Sequence, residues 1–282
     1  MPIRIVTDST ADLPKHIIDD LQITVVPLHV YFGDEAFLDG ATISKDEFYR
    51  RLAAHRATFP RTAAPSAGEF ADVYRRIKPD TEGIVSIHLS PRLSATYSAA
   101  VVAAEALAPE TRISVVDSTT ASLALGLLVM HAATLARQGA DVDEIVNSVT
   151  SMTPHTRFFG VLETLEYLHK GGRIGAAAAF LGSMLHVKPI VGLRDGVAHP
   201  IERVRGRQQA IERVIERVDS HGELLHLAVG HTTDEQGMEV LATRLSRGFP
   251  RERMVHAQCG ATLGTYLGPG AFGVALIETA PC

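Results

Sequence analysis

Five segments of the 282-residue chain carry side chains able to do chemistry. Segment 5–14, Ile-Val-Thr-Asp-Ser-Thr-Ala-Asp-Leu-Pro, reads as a strand ending in the polar cluster Asp8, Ser9 and Thr10. Ligands of parallel α/β sheets sit beyond the carboxyl ends of the strands, so this cluster is placed to line a site. Asp8 or Ser9 would equally serve as a helix cap. In segment 62–69, Thr-Ala-Ala-Pro-Ser-Ala-Gly-Glu, Pro65 stiffens the chain and Ser66 caps a helix, so Thr62 is a hydroxyl in a fixed loop just before a helix start. Segment 89–97, Leu-Ser-Pro-Arg-Leu-Ser-Ala-Thr-Tyr, puts Ser94 after a strand and near a helix N-terminus, as an anion contact or a plain N-cap. Segment 168–175, Leu-His-Lys-Gly-Gly-Arg-Ile-Gly, presents Lys170 and Arg173 on a glycine-rich loop that can hold a phosphate or merely join two helices. Segment 260–273 reads as a glycine-rich, turn-rich connection in which Thr262 and Tyr266 are possible ligand contacts.

Several chemistries are excluded by what these segments lack. There is no Gly-x-Ser-x-Gly nucleophile elbow, no Gly-Lys-Ser/Thr phosphate loop and no His-Glu-x-x-His zinc motif. Thirteen histidines are scattered, among them His155, His169, His186, His221, His226 and His231, and read as surface or core residues, with no metal site. The two cysteines, Cys259 and Cys282, form neither a disulfide framework nor a zinc ribbon. A formal net charge of −5 (27 Lys and Arg against 32 Asp and Glu) argues against a general nucleic-acid binder. The N-terminus carries no signal-peptide pattern, and the apolar stretch 121–136 is too short and mixed to span a bilayer. A cytoplasmic protein is expected.

The elements that must position these segments are legible as alternating strands and helices. Strands are predicted at 3–6, 24–32, 84–89 and 113–116. Helices are announced by Ser44 with Glu47, Ser66 with Glu69 and Asp141 with Glu144, and by the alanine-rich runs 94–108 and 121–138. This alternation argues for a parallel, Rossmann-like sheet. The pattern then changes. A strand at 157–162 precedes helical segments at 163–170 and 175–186. A hairpin follows, 187–193 and 197–204 about an Arg194-Asp195-Gly196 turn. After it come a helix at 207–219, a strand at 225–229, a helix at 235–247, and strands at 254–257 and 272–277. A hairpin inside the alternation predicts a mixed α+β sheet. The boundary is placed where Thr153-Pro154 interrupts a helix, giving an α/β domain at 1–154 and an α+β domain at 155–282.

Taken in order, the segments resemble the DegV family, the fatty-acid-binding subunits of the fatty acid kinase system. Thr7-Asp8-Ser9, Thr62 to Ser66, Ser90 to Tyr97, Val116-Asp117-Ser118, Leu165 to Gly175 and Gly264 to Gly270 follow the family's sequence across essentially the whole chain. The resemblance implies a two-domain fold with a lipid site between the domains. It implies one long-chain fatty acid, of the palmitate or oleate class, whose carboxylate is presented to a separate kinase that makes an acyl phosphate from ATP. On this sequence the carboxylate-holding hydroxyls fall on Thr62 and Ser94, and the last contact on Tyr266. The phosphotransfer arginine falls on Arg173 and a kinase-docking arginine on Arg205. The chain would then be a carrier with no catalytic residue or cofactor of its own, active in lipid transport or fatty acid metabolism, with at most transient membrane-surface contact. Three positions depart from the family pattern: Ala63 for serine, Ala95 for glycine and Tyr266 for histidine. Tyrosine donates a hydrogen bond but has no cationic form.

Simple energetics agree with such a ligand. Burying about fifteen methylenes gains on the order of 12 kcal/mol at ~0.8 each, before association costs. Hydroxyl bonds to a carboxylate add about 1–3 kcal/mol apiece, so the tail gives affinity and the head orientation. The run Ala176 to Gly182 is small and apolar enough to flank a narrow tunnel or to pack as an ordinary helix. Two other readings compete. One is a serine hydrolase built on Ser94, His88 and Asp117; the other is a phosphate- or nucleotide-binding protein using the loops at 171 and 260.

Overall fold

The computed structural model describes residues 2–54, 59–108, 111–181 and 187–279. Gly182 at the end of the tunnel run, His186 at the end of the predicted 175–186 helix, and Cys282 lie outside the described residues. Among the described residues the strands form three sheets. The first is parallel, in the order β2-β1-β6-β7, with β1 at Arg4–Asp8, β2 at Thr24–Val26, β6 at Ile84–His88 and β7 at Ile113–Asp117. Every residue of β6 is buried, as a central strand covered on both faces requires. Helices Ala67–Ile77 and Thr96–Leu107 cover one face through Phe70, Tyr74 and Ala100. Helices Ser122–Arg137 and Val142–Met152 cover the other.

The second sheet has six strands in the order β10-β9-β8-β13-β11-β12: β8 Thr156–Val161, β9 Val187–Arg194, β10 Val197–Arg205, β11 Leu224–His231, β12 Val255–Gln258 and β13 Phe272–Glu278. It is mixed, with β11 and β12 parallel and the other pairs antiparallel. Side chains alternate between its faces with the two-residue period of a strand. Ala228, Ala275 and Ile277 pack on helix Ser122–Arg137, in one core with Ile5, Val85 and Ile87 of the first sheet. Leu227, Val229, Val274 and Leu276 pack on helices Arg207–Asp219 and Glu235–Leu245 on the opposite face. The β9–β10 hairpin turns through Asp195 and Gly196, both at positive φ (50° and 76°), the backbone of a two-residue primed turn.

The third sheet is a small antiparallel one in which β3 (His29–Phe32) lies between β4 (Glu35–Leu38) and β5 (Arg61–Ala63). It corrects two expectations. The run 24–32 is not one strand region, because Thr24–Val26 pairs with β1 while His29–Phe32 leaves for the small sheet. Thr62 is not in a loop: it sits on β5 opposite Val30. The three predicted caps are present. Ser66–Glu69 and Asp141–Glu144 form full capping boxes, and Ser44 Oγ accepts from Glu47 N at 3.2 Å.

Candidate functional site

A cavity of about 240 Å³ lies where the three sheets meet. Each element contributes a short piece of its wall. The first sheet gives Thr10 beyond β1, and Leu89, Leu93 and Ser94 beyond β6. The small sheet gives Thr62, the residue just before it gives Leu28, and the mixed sheet gives Phe158, Val191, Leu193 and Ala198. Helix Ala261–Leu267 adds Thr262, Leu263, Tyr266 and Leu267, and the loop after helix Glu166–Lys170 adds Arg173. The segment expected to be turn-rich is thus a helix between Gly260 and Gly268. Gly264 permits its packing, since a Cβ there would come within 2.7 Å of Phe48 and Tyr49.

The polar side chains form a small hydrogen-bonded group. Thr62 Oγ1 lies 2.5 Å from Tyr266 Oη, and Ser94 Oγ lies 2.9 Å from Thr96 Oγ1. Ser94 is not the N-cap of its helix. Ala95 holds that position without a side-chain bond, which leaves Ser94 one residue outside the helix. The exposed Arg173 guanidinium donates to the carbonyls of Leu93 (3.2 Å) and Gly171 (2.8 Å) and lies 5.3 Å from the Tyr266 ring centroid, within cation–π range. Gly171 makes this possible, because a Cβ there would meet that ring at 2.5 Å. The Ser94 loop is held from its other side by Arg92 Nη1, which donates to Asp195 O at 2.9 Å across to the hairpin turn.

Four residues singled out from the sequence, Thr62, Ser94, Arg173 and Tyr266, therefore line one cavity, and Thr262 joins them. Arg205 does not: it ends β10, is exposed, and its backbone amide donates to Gln209 Oε1. Asp8 and Ser9 do not line the cavity either. Asp8 is buried and accepts from Thr10 and Leu89, while Ser9 Oγ accepts from Leu28 N. The tunnel expectation for Ala176 to Leu181 fails, because none of these residues lines the cavity. They form a 3-10 stretch in which Ala176, Ala178 and Ala179 face solvent and Ala177 packs behind the wall with Leu165, Leu168 and Val191. The apolar wall itself was missed. Only its helical part had a local signal, the spacing of Thr262, Leu263, Tyr266 and Leu267 on one helix face.

The two rival readings fail on geometry. His88 is fully buried on β6, with Nδ1 2.9 Å from Asp8 Oδ2 and Nε2 2.7 Å from Ser86 Oγ. Asp117 accepts from Thr119 N, and Ser94 is paired with Thr96, so no Ser-His-Asp triad forms. At the loops proposed for a phosphate, the main-chain donors are already used. Gly260 N donates to Asp12, and Ala261 N and Thr262 N donate to Asp39. Gly171, Gly172 and Arg173 N donate to carbonyls of the preceding helix. Burial pushes Asp12 up to about 6 and holds the Cys259 thiol well above its usual range, which makes that buried cysteine a poor nucleophile.

The family model for the uncharacterised protein DegV family matches residues 2–279. The chain belongs to the DegV family. A DegV domain-containing protein of Streptomyces coelicolor is 40% identical over 277 residues, covering 96% of this chain and 97% of the relative. Among solved structures, the DegV family protein of Thermus thermophilus described for fatty acid binding superposes with a TM-score of 0.91 at 30% identity, covering 99% of this chain and all of that one. DegV of Bacillus subtilis, described as a fatty acid binding protein, gives 0.88 at 33% identity, with 99% of this chain and 100% of that one covered. A stearic acid-binding protein of Eubacterium ventriosum gives 0.87 at 25%, with 98% of each chain covered. Among the described residues no helix is long and apolar enough to cross a membrane.

Proposed function

We propose that this chain binds one long-chain fatty acid, of the palmitate or oleate class, and presents its carboxylate to a partner fatty acid kinase for acyl-phosphate formation. The observation that carries the reading is a largely apolar cavity with Thr62, Ser94, Tyr266 and Arg173 gathered at it. Fatty acid binding by the Thermus and Bacillus relatives supports it. In this reading residues 1–154 and 155–282 act as two domains flanking the ligand, in the cytoplasm.

The head group is held by hydroxyls. In each of the pairs Thr62–Tyr266 and Ser94–Thr96, two hydroxyl protons serve one internal bond, so one proton per pair is left for the ligand. Neutral donors hold a carboxylate without neutralising it, which suits a group that must next attack phosphorus. Arg173, exposed and, among the described residues, paired with carbonyl oxygens and the Tyr266 ring, can turn toward a transferring phosphoryl group. Arg205, exposed at the end of β10, is assigned to kinase docking. The catalyst is the kinase, and the bound acid is the only ligand the carrier needs.

The test is solvent extraction of the purified protein with mass spectrometry of the extract, beside titration of the delipidated protein with palmitate and oleate. A stoichiometric fatty acid, or uptake of the added acid, is expected. A mass matching bare polypeptide with no uptake would end the carrier reading.

A further inference from the structure

The cavity contains a second polar region in which acceptors outnumber donors. Thr10, Ser122 and Thr262 all line it. The Thr10 hydroxyl donates to Asp8, and the Ser122 hydroxyl donates to Asp12 at 2.8 Å. A hydroxyl has one proton, so these two have given theirs to carboxylates and can offer a ligand only lone pairs. Among the described residues Thr262 Oγ1 is buried with no partner, on a residue 2% exposed. Thr262 lies in the first turn of its helix, so the carbonyl four residues back is that of Gln258 at the end of β12 and not one of the helix's own. The three residues adjoin. Asp12 accepts from Ser122 on one oxygen and from Gly260 N, two residues before Thr262, on the other. The turn Ser9–Ala11 packs on helix Ala261–Leu267. Thr262 precedes Tyr266 by one helical turn, ~6 Å along the axis.

We propose that Thr262, with Ser122 and Thr10, forms a station for a hydroxyl carried on the acyl chain near its carboxylate, so that the preferred ligands are hydroxy fatty acids. The inference rests on the fatty-acid reading above. A ligand hydroxyl both donates and accepts. It gives its proton to the Ser122 or Thr10 oxygen and accepts one from Thr262, which otherwise stays buried without a bond. A carboxylate only accepts, so here it can use Thr262 alone and faces the lone pairs of Ser122 and Thr10; the Thr62–Tyr266–Ser94 region suits it better. An unsubstituted chain passes the station without satisfying it.

The experiment is calorimetric titration of the full-length, delipidated protein with hexadecanoic acid and its 2-hydroxy, 3-hydroxy and 16-hydroxy derivatives. One of the two carboxylate-proximal hydroxy acids should bind roughly three- to tenfold tighter than hexadecanoic acid, the factor given by one net neutral hydrogen bond. The 16-hydroxy acid should not. Thr262→Val, close in shape and without the hydroxyl, should bring the ratio of the two affinities to about one, and Thr262→Ser should restore it. If hexadecanoic acid binds but neither proximal hydroxy acid binds tighter, or if the preference survives in Thr262→Val, the inference fails while the fatty-acid reading stands. If none of the four acids binds, both fall.

Discussion

Two polar groups in this molecule are built from similar side chains and do opposite things. Inside the parallel sheet, Asp8, His88, Ser86 and Tyr74 form a closed chain: Asp8 to His88 at 2.9 Å, His88 to Ser86 at 2.7 Å, and Ser86 to Tyr74 at 2.8 Å. Asp8 also takes the amides of Thr10 and Leu89, and His88 packs edge-on against Phe70. Nothing in this chain reaches solvent or the cavity, so it specifies the turn after β1 and the end of β6. At the cavity, the pairs Thr62–Tyr266 and Ser94–Thr96 each keep one spare proton, and Arg173 is bonded to carbonyls, so the group is under-committed. A group that looks reactive by residue type can therefore be the structural one. Hydrogen-bond capacity left unused marks the site.

The largest expected effect is on the closed chain. Asp8→Ala strands a buried histidine, a hydroxyl and two amides at once, and should lower the unfolding free energy by about 3–5 kcal/mol, the range for breaking a buried polar pair from one side. Denaturant unfolding followed by circular dichroism measures this. A loss below ~1 kcal/mol would mean that the chain is not what holds the turn.

Next in size is the open group. Replacing Thr62 and Ser94 together by alanine should weaken fatty acid binding by about 2–4 kcal/mol, since each bond to a carboxylate contributes about 1–3 kcal/mol. Stability should hardly change, because Thr62 lies on a three-residue strand and Ser94 lies outside its helix. Equal affinities in titrations of wild type and the double variant would move the carboxylate elsewhere in the cavity.

Arg173→Ala separates transfer from binding. Fatty acid affinity should change little, because the tail dominates it. Acyl-phosphate formation by the cognate kinase should slow by about 100-fold, as when other preorganised charge stabilisers are lost. Arg205→Ala should act on the Michaelis constant for loaded carrier and leave the maximal rate. Kinase turnover measured across carrier concentrations distinguishes these. Lost lipid binding with spared turnover in Arg173→Ala would contradict the assignment.

The elements were largely legible because their signals are local. Each capping box sits within four residues, the Asp195-Gly196 turn has its own backbone signature, and the order of the five polar segments survives as motif order. What the sequence hides is non-local. Arg61–Ala63 is only three residues, two of them polar, and becomes a strand because His29–Phe32 offers it an edge. The cavity wall takes one or two apolar residues from each of several elements, so no window of sequence contains it. The alanine run after Gly175 looked like a wall by composition, yet side-chain direction put most of it in solvent.

The smallest expected effect concerns position 266, where the family resemblance implies a histidine and this chain has tyrosine. Tyrosine supplies one hydroxyl and no positive charge to hold a carboxylate. Tyr266→His introduces a group that becomes a cation near pH 6.5. The sign follows from linkage: the protonated form attracts the carboxylate, so the bound state takes up the proton more readily and binding tightens as pH falls. Replacing a neutral bond by a charge-assisted one is worth about 1 kcal/mol, or roughly fivefold in affinity. Asp12, raised by burial to about 6, titrates in the same window and donates its influence through Ser122 in both proteins, so the difference between the two pH profiles isolates position 266. The measurement is fatty acid titration of wild type and Tyr266→His at pH 6, 7 and 8. A difference profile that stays flat would show that residue 266 does not reach the carboxylate, and that Tyr266 serves only to hold Thr62.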